Sequence, residues 1–166
     1  MGARLATSLS LVELSDCLLS GELPAGIFLF GKTLEILTLA GNKLSGAIPS
    51  AIGGCEALKE LRMQNNQLSG ELPRSIGGCA ALELVRLNNN MLSGKLPNSI
   101  GACARLSELR LQGNQILGPL PEALGKCSAL VQLQVDPLVL TGGYPAWLQQ
   151  RVEARKTFVN APRGAK

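Results

Sequence analysis

Histidine is absent from this 166-residue chain, and the only aspartates are Asp16 and Asp136. The first absence removes Ser-His-Asp and Cys-His nucleophile chemistry, together with every metal site built on imidazole. Charge is scarce as well. Charged residues make up 17% of the chain and the net charge of +4 is dispersed, too weak for the basic stripe of a nucleic-acid binder. No apolar run reaches the length of about 18 residues that a membrane-spanning helix needs. No Asn-x-Ser/Thr sequon occurs, which disfavours a glycosylated secreted protein. The opening "MGARLATSLSLVELS" lacks a long apolar core followed by a small-residue cleavage site, and this disfavours a secretory signal. Ala6 stands where a myristoylation motif needs Ser or Thr. These absences lead to the expectation of a non-enzymatic, cofactor-free chain that binds no nucleotide. They also favour an intracellular location; removal of a presequence would make the protein extracellular instead.

What the chain has is a repeat. Aligned on "LSGxLP", six units begin at Leu9, Leu34, Leu58, Leu82, Leu106 and Leu130, one spacing being 25 and the other four 24. Each reads L-x-x-L-x-L-x-x-N-x-L-S-G-x-L-P with limited substitution. Such a period calls for stacked units, because no unit can bury its apolar face alone. In "LKELRMQNNQLSGELP", Leu61 and Met63 alternate with Glu60, Arg62 and Gln64, as in a short strand with one buried face. Asn66 falls where the chain leaves that strand. Stacked, Asn42, Asn66, Asn90 and Asn114 form a ladder whose amides satisfy backbone groups of neighbouring turns. Gly70 permits the turn that follows, and Pro73 stops the sheet. Ile76, Cys79 and Leu82 then mark a short helical or 3₁₀ return.

These motifs resemble the plant-specific class of leucine-rich repeats, over Leu9 to about Pro145. The resemblance implies an α/β repeat solenoid: a right-handed coil with a curved parallel β-sheet on the concave side and short 3₁₀ or helical returns on the convex side. It also implies a second short strand at "LSGxIP", and a binding rather than a catalytic role. The expected organisation is a lead-in over 1–8, repeats over 9–33, 34–57, 58–81, 82–105, 106–129 and 130–145, and a capping helix with a basic tail over 146–166. Both ends depart from the pattern, with Cys17 and Leu138 at the ladder position. The paired-cysteine cap of the secreted relatives is missing.

Two motifs invite sharper chemistry. Cys55, Cys79, Cys103 and Cys127 recur every 24 residues, a spacing that invites the reading of a metal or redox array. A column of small buried thiols on the returning segments fits better, because stacked side chains point in parallel rather than at each other. "GIFLFGKT", Gly26 to Thr33, satisfies the phosphate-loop pattern. A phosphate loop follows a buried strand and opens a helix, whereas this segment runs directly into the next repeat strand. Ile27 is expected in the inward column of Ile52, Ile76 and Ile100, with Lys32 and Thr33 on the loop surface.

The outward positions of the strands carry what differs between units. Their central column reads Glu13, Thr38, Arg62, Arg86, Arg110, Gln134. Three arginines about 5 Å apart repel by about 0.8 kcal/mol per pair in water, and Glu60 and Glu108 offset much of that. One reading is a solvated lattice of little energetic consequence. The other is a partner-binding face of Arg62, Arg86, Arg110, Glu60, Glu108, Gln64, Asn88, Gln112 and Gln134, joined by Asn65, Asn89 and Gln132. Guanidinium forks on such a face suit an acidic protein surface, although aromatic anchors are missing from it. In the first two units Leu11, Ile36, Ala40 and Gly41 form a flatter, less polar patch. At the far end, Pro145 opens a helix carrying Trp147, Leu148 and Val152 on one side, with Trp147 over the last repeat. Arg151, Arg155, Lys156, Arg163 and Lys166 give a basic end. The chain is therefore expected to be a protein-interaction module, an adaptor or peripheral subunit of a larger assembly. The alternative is a ligand-sensing fragment of a plant-type receptor or a secreted inhibitor-like relative.

Overall fold

The computed structural model describes residues 9–136 and 143–154, and the backbone of 158–159. Leu138 and the tail residues Arg155, Lys156, Arg163 and Lys166 lie outside these.

Apolar alternation over three residues produces one short strand per unit. Numbered in chain order, β1 (Leu11–Glu13), β3 (Ile36–Thr38), β5 (Glu60–Arg62), β7 (Leu84–Arg86), β9 (Glu108–Arg110) and β11 (Gln132–Gln134) pair successively in parallel. A returning pair of residues, β12 (Phe158–Val159), adds to β11. The "LSG" segments form a second parallel sheet: β2 (Ser20–Glu22), β4 (Lys43–Ala47), β6 (Gln67–Glu71), β8 (Met91–Gly94) and β10 (Gln115–Ile116). Proline ends each of these strands, and a single turn of 3₁₀ helix follows, such as Arg74–Gly78 after Pro73.

Between the two sheets and the 3₁₀ returns lies one continuous core. Leu37, Leu61, Val85, Leu109 and Leu133 are fully buried, one per unit, and Leu34, Leu58, Leu82 and Leu106 fill the neighbouring column. The first unit departs from this, since Leu9, Leu11, Leu14 and Leu18 are exposed.

The ladder asparagines work across units. Asn66 Oδ1 accepts the Leu44 N–H at 3.0 Å, and its Nδ2 donates to the Leu39 and Met63 carbonyls at 2.9 and 3.2 Å. Asn90 and Asn114 repeat the pattern one and two units later. Asn42 receives the N–H groups of Cys17 and Leu19. Each amide therefore faces the preceding unit, and Cys17 stands in the one described unit with none before it.

On the convex side the 3₁₀ turns pack backbone to backbone. A Cβ on Gly53 would lie 2.7 Å from the Ser75 carbonyl oxygen, and one on Gly77 would lie 2.6 Å from that of Ser99. The thiols complete this contact. Cys79, Cys103 and Cys127 are buried and donate to the Ile52, Ile76 and Ile100 carbonyls at 3.1, 3.5 and 3.5 Å. All are free, and burial pushes Cys55 up to about 11 and Cys79 and Cys103 up to about 12.

The extra residue of the first unit corrects one expectation. It is absorbed within the 3₁₀ turn Ala25–Phe30, which has six residues where the next has five. Phe28, not Ile27, consequently takes the buried position: its carbonyl accepts from Gly31, as that of Ile52 does from Cys55. The phosphate-loop look-alike is thus a core-packing turn, and its Thr33 hydroxyl donates to the Leu9 carbonyl at 3.0 Å.

A second correction concerns the C-terminal helix α1 (Ala146–Glu153). Leu148 is buried and Trp147 packs against the core, but Val152 is exposed. Arg151 takes the inward role instead. It donates to the Cys127 and Gly125 carbonyls at 2.8 and 3.2 Å and stacks over the Trp147 ring. A guanidinium thereby satisfies the last 3₁₀ carbonyls, a task that Val152 has no donor to perform.

Candidate interaction face

Parallel pairing in register puts Arg62, Arg86 and Arg110 side by side on β5, β7 and β9. The column in front of them is uneven: Glu60, Leu84, Glu108. Leu84 deprives Arg86 of a carboxylate on its own strand, so Arg86 reaches across to the next. Its Nε lies 2.7 Å from Glu108 Oε1 and its Nη2 lies 3.3 Å from Oε2, a bidentate pair. Arg110 Nε closes on the same Oε1 at 2.5 Å. Arg62 pairs separately with Glu60 at 2.7 Å. Three guanidinium groups therefore share two carboxylates, leaving one positive charge in excess in this stretch of sheet.

Glu108 is the hub of the arrangement. Its side chain is only 14% exposed. Burial alone would raise its carboxyl, but the Arg86 hydrogen bond and the charges of Arg86 and Arg110 bring it below its ordinary value. Arg86 is held above its own ordinary value chiefly by the Glu108 hydrogen bond. The sequence pattern presents Glu108 as one of two offsetting acids. Its double engagement goes with Leu84 standing in register between Glu60 and Glu108, so that the strand register and the residue at position 84 have to be read together.

Polar neighbours extend the face. Gln112 Nε2 donates to Gln134 Oε1 at 3.0 Å, and Asn89 Nδ2 to Asn65 Oδ1 at 2.8 Å. Asn65 and Asn89 hold the left-handed turn after the strand, at φ +59° and +57°. Gln64 Oε1 and Gln112 Oε1 are shielded acceptors without a protein partner. Asn88 is half-buried beside them. Glu35 and Lys59 add an unforeseen cross-unit ion pair at 2.7 Å. The less polar patch of the first units is narrower than expected: Ala40 is buried, and the Asp16 carboxylate lies over Gly41, so Leu11 and Ile36 remain. Among the described residues, no cluster of three or more His, Cys, Asp or Glu side chains is arranged to hold a metal ion.

The Leucine Rich Repeat family model matches at residues 33–55, 57–79, 81–103 and 105–127. The chain belongs to the leucine-rich repeat family. No curated protein matches it. Among solved structures, this leucine-rich repeat chain is similar to a chain of the BIR3–SERK2 complex from Arabidopsis thaliana, at 36% identity and a TM-score of 0.66. That match covers 70% of this chain and 62% of the other. The plant peptide hormone receptor RGFR1, solved in complex with RGF2, is 33% identical at a TM-score of 0.64, over 72% of this chain and 24% of the receptor. The ectodomain of the receptor kinase SOBIR1 from Arabidopsis thaliana is 28% identical at a TM-score of 0.69, over 74% of this chain and 67% of that one. The chain thus spans less than two thirds of the first two of these relatives. It is a plant-type leucine-rich repeat solenoid, with its first sheet on the concave side. Among the described residues, no helix is long and apolar enough to cross a membrane.

Proposed function

We propose that this chain is a non-catalytic module that binds a protein or peptide partner across the concave sheet. The contact centres on Arg62, Arg86 and Arg110, with Glu60, Glu108, Gln64, Asn88, Gln112 and Gln134 around them. The observation that carries this reading is the uneven charge column: three arginines in register against two glutamates, one of them shared. A lattice serving only its own neutrality needs no surplus cation. Here the surplus sits beside the shielded Gln64 and Gln112 acceptors, which suits a partner bringing a carboxylate together with amide donors.

A second reading, a ligand-sensing segment of a receptor-type ectodomain, is favoured by the similarity to SOBIR1 and to the hormone-bound RGFR1. Both readings use the same face. The expectation of an intracellular location gains no support from relatives described as ectodomains.

Quantitative affinity purification from the cells that make the protein tests the binding face. Wild type is compared with the triple variant Arg62→Ser, Arg86→Ser and Arg110→Ser, after circular dichroism has shown both to be folded. Loss of a stoichiometric partner with the arginines supports the reading. Partners that persist unchanged overturn it.

A further inference from the structure

One arginine and one glutamate on each of β5, β7 and β9 would leave the outward face neutral there. β5 carries such a pair in Glu60 and Arg62, and β9 in Glu108 and Arg110, whereas β7 carries Leu84 and Arg86. Register places Leu84 between Glu60 and Glu108, so it occupies the position of a third glutamate. Its strand is paired on both sides, in the middle of the sheet.

The side chains on either side of Leu84 hold hydrogen-bonding capacity that the protein does not use. Arg86 engages Glu108 through Nε and Nη2, and its Nη1 has no acceptor among the described residues. On the β5 side, Arg62 meets Glu60 through Nη2 at 2.7 Å. Arg62 Nε is shielded from water without a partner, and so is Oε1 of Gln64, the next residue along the same face. A shielded donor and a shielded acceptor left unpaired each cost free energy, and a ligand that pairs them recovers it. Two guanidinium groups here call for a carboxylate, and Gln64 calls for one N–H. An acidic residue in an extended segment supplies both, the carboxylate from its side chain and the N–H from its backbone. Leu84 is half-buried beneath this place, and an apolar floor strengthens a charge pair formed over it.

Taking the concave sheet as the binding face, we propose that Leu84 sets its specificity: the partner's anchor is an aspartate or glutamate side chain seated over Leu84, between Arg62 and Arg86. The partner's acid completes the column that Glu60 and Glu108 leave unfinished, giving three carboxylates to three arginines. Arg86 keeps its bidentate pair with Glu108, while its Nη1 and the Arg62 guanidinium donate to the newcomer. A carboxylate built into position 84 would do the same from within. It would pair with Arg86 along its own strand, as Glu60 does with Arg62, and would repel the partner's acid. Leucine at this position keeps the seat open. A glutamine there, matching glutamate in size but without its charge, would leave the positive surplus in place.

The probe is an array of randomised peptides of about nine residues, long enough when extended to cross these strands. They are acetylated and amidated, so that side chains alone carry acid, and a second array has free C-terminal carboxylates. The full chain is applied as wild type, as Leu84→Glu, as Leu84→Gln, and as the triple variant Arg62→Ser, Arg86→Ser, Arg110→Ser. Glutamate and glutamine already stand in this column at positions 60, 108 and 132, so both fit it. Wild type and Leu84→Gln are expected to retain amidated peptides that share an aspartate or glutamate. Leu84→Glu should weaken those peptides roughly tenfold or more. Equal retention by Leu84→Glu and Leu84→Gln, with loss on the triple variant, overturns the role of Leu84 and leaves the concave binding face standing. Retention that the triple variant does not change overturns the binding face and this inference together. A wild type that retains no acidic peptide, or only peptides with a free C-terminal carboxylate, overturns the acidic side chain as anchor. Thermal unfolding gives a reading without any ligand: Leu84→Glu should melt above Leu84→Gln, and melting at or below it contradicts the charge balance on which the seat depends.

Discussion

At the residue scale, most of the stack rests on a few side chains doing the same task once per unit. Asn66 satisfies one N–H and two carbonyls that stacking has removed from water. Asn66→Ala is expected to cost about 1–3 kcal/mol in urea unfolding, because the buried Leu44 N–H loses its acceptor. An Asn66→Ala variant as stable as wild type would mean that the ladder is decorative. The thiol column has a different signature. The ordinary thiol value is 9.0, and burial raises Cys55 to about 11 and Cys79 to about 12. Because the folded values lie above the unfolded ones, the thiols' contribution is intact below pH 9 and declines as pH rises from there towards 12. Stability measured against pH should be flat in this respect up to about pH 9 and should fall beyond it. Replacing Cys79 and Cys103 with alanine should make that alkaline fall shallower. The tail's Arg151 shows where reading residues by type goes astray. Grouped by charge it belongs to a solvated basic end, yet its fork is bound to two backbone carbonyls.

At the element scale, the units are held together on the convex side by contacts too close for a methyl group. Gly53 and Gly54 are adjacent and make a paired test. A Cβ on Gly53 meets Ser75 backbone and side chain below 3 Å, whereas nothing lies within 4 Å of one on Gly54. Gly53→Ala should destabilise the protein by about 1–3 kcal/mol, since the facing turn must move. Gly54→Ala should be neutral or stabilise by up to about 1 kcal/mol, through the reduced entropy of the unfolded chain. Thermal unfolding of the two single variants separates these outcomes, and equal effects would contradict the packing described. The strands, the asparagine ladder and the proline-stopped returns were legible in the sequence because each unit restates them at one spacing. What escaped was whatever departs from that spacing or depends on side-chain direction. The extra residue of the first unit hid inside its 3₁₀ turn and so promoted Phe28 over Ile27. The Gly53–Ser75 contact left no trace in hydrophobic pattern, because both residues are small. The choice by Arg86 of a neighbour's carboxylate needed both the register and the leucine at position 84.

For the whole molecule, repetition supplies rigidity and variation supplies identity. Core columns hardly change from unit to unit, while the outward column passes from Glu13 and Thr38 through three arginines to Gln134. The concave sheet is therefore a fixed platform whose chemistry varies along its length, with its positive excess at β5, β7 and β9. A partner seated there should shield those strands and little else. Hydrogen–deuterium exchange of the protein alone and in complex with its co-purified partner tests this most directly. The account predicts slowed exchange in peptides covering 59–65, 83–89 and 107–113, with the 3₁₀ turns at Ser50–Gly54 and Asn98–Ala102 unchanged. Protection confined to those turns, or to the second sheet, would contradict it.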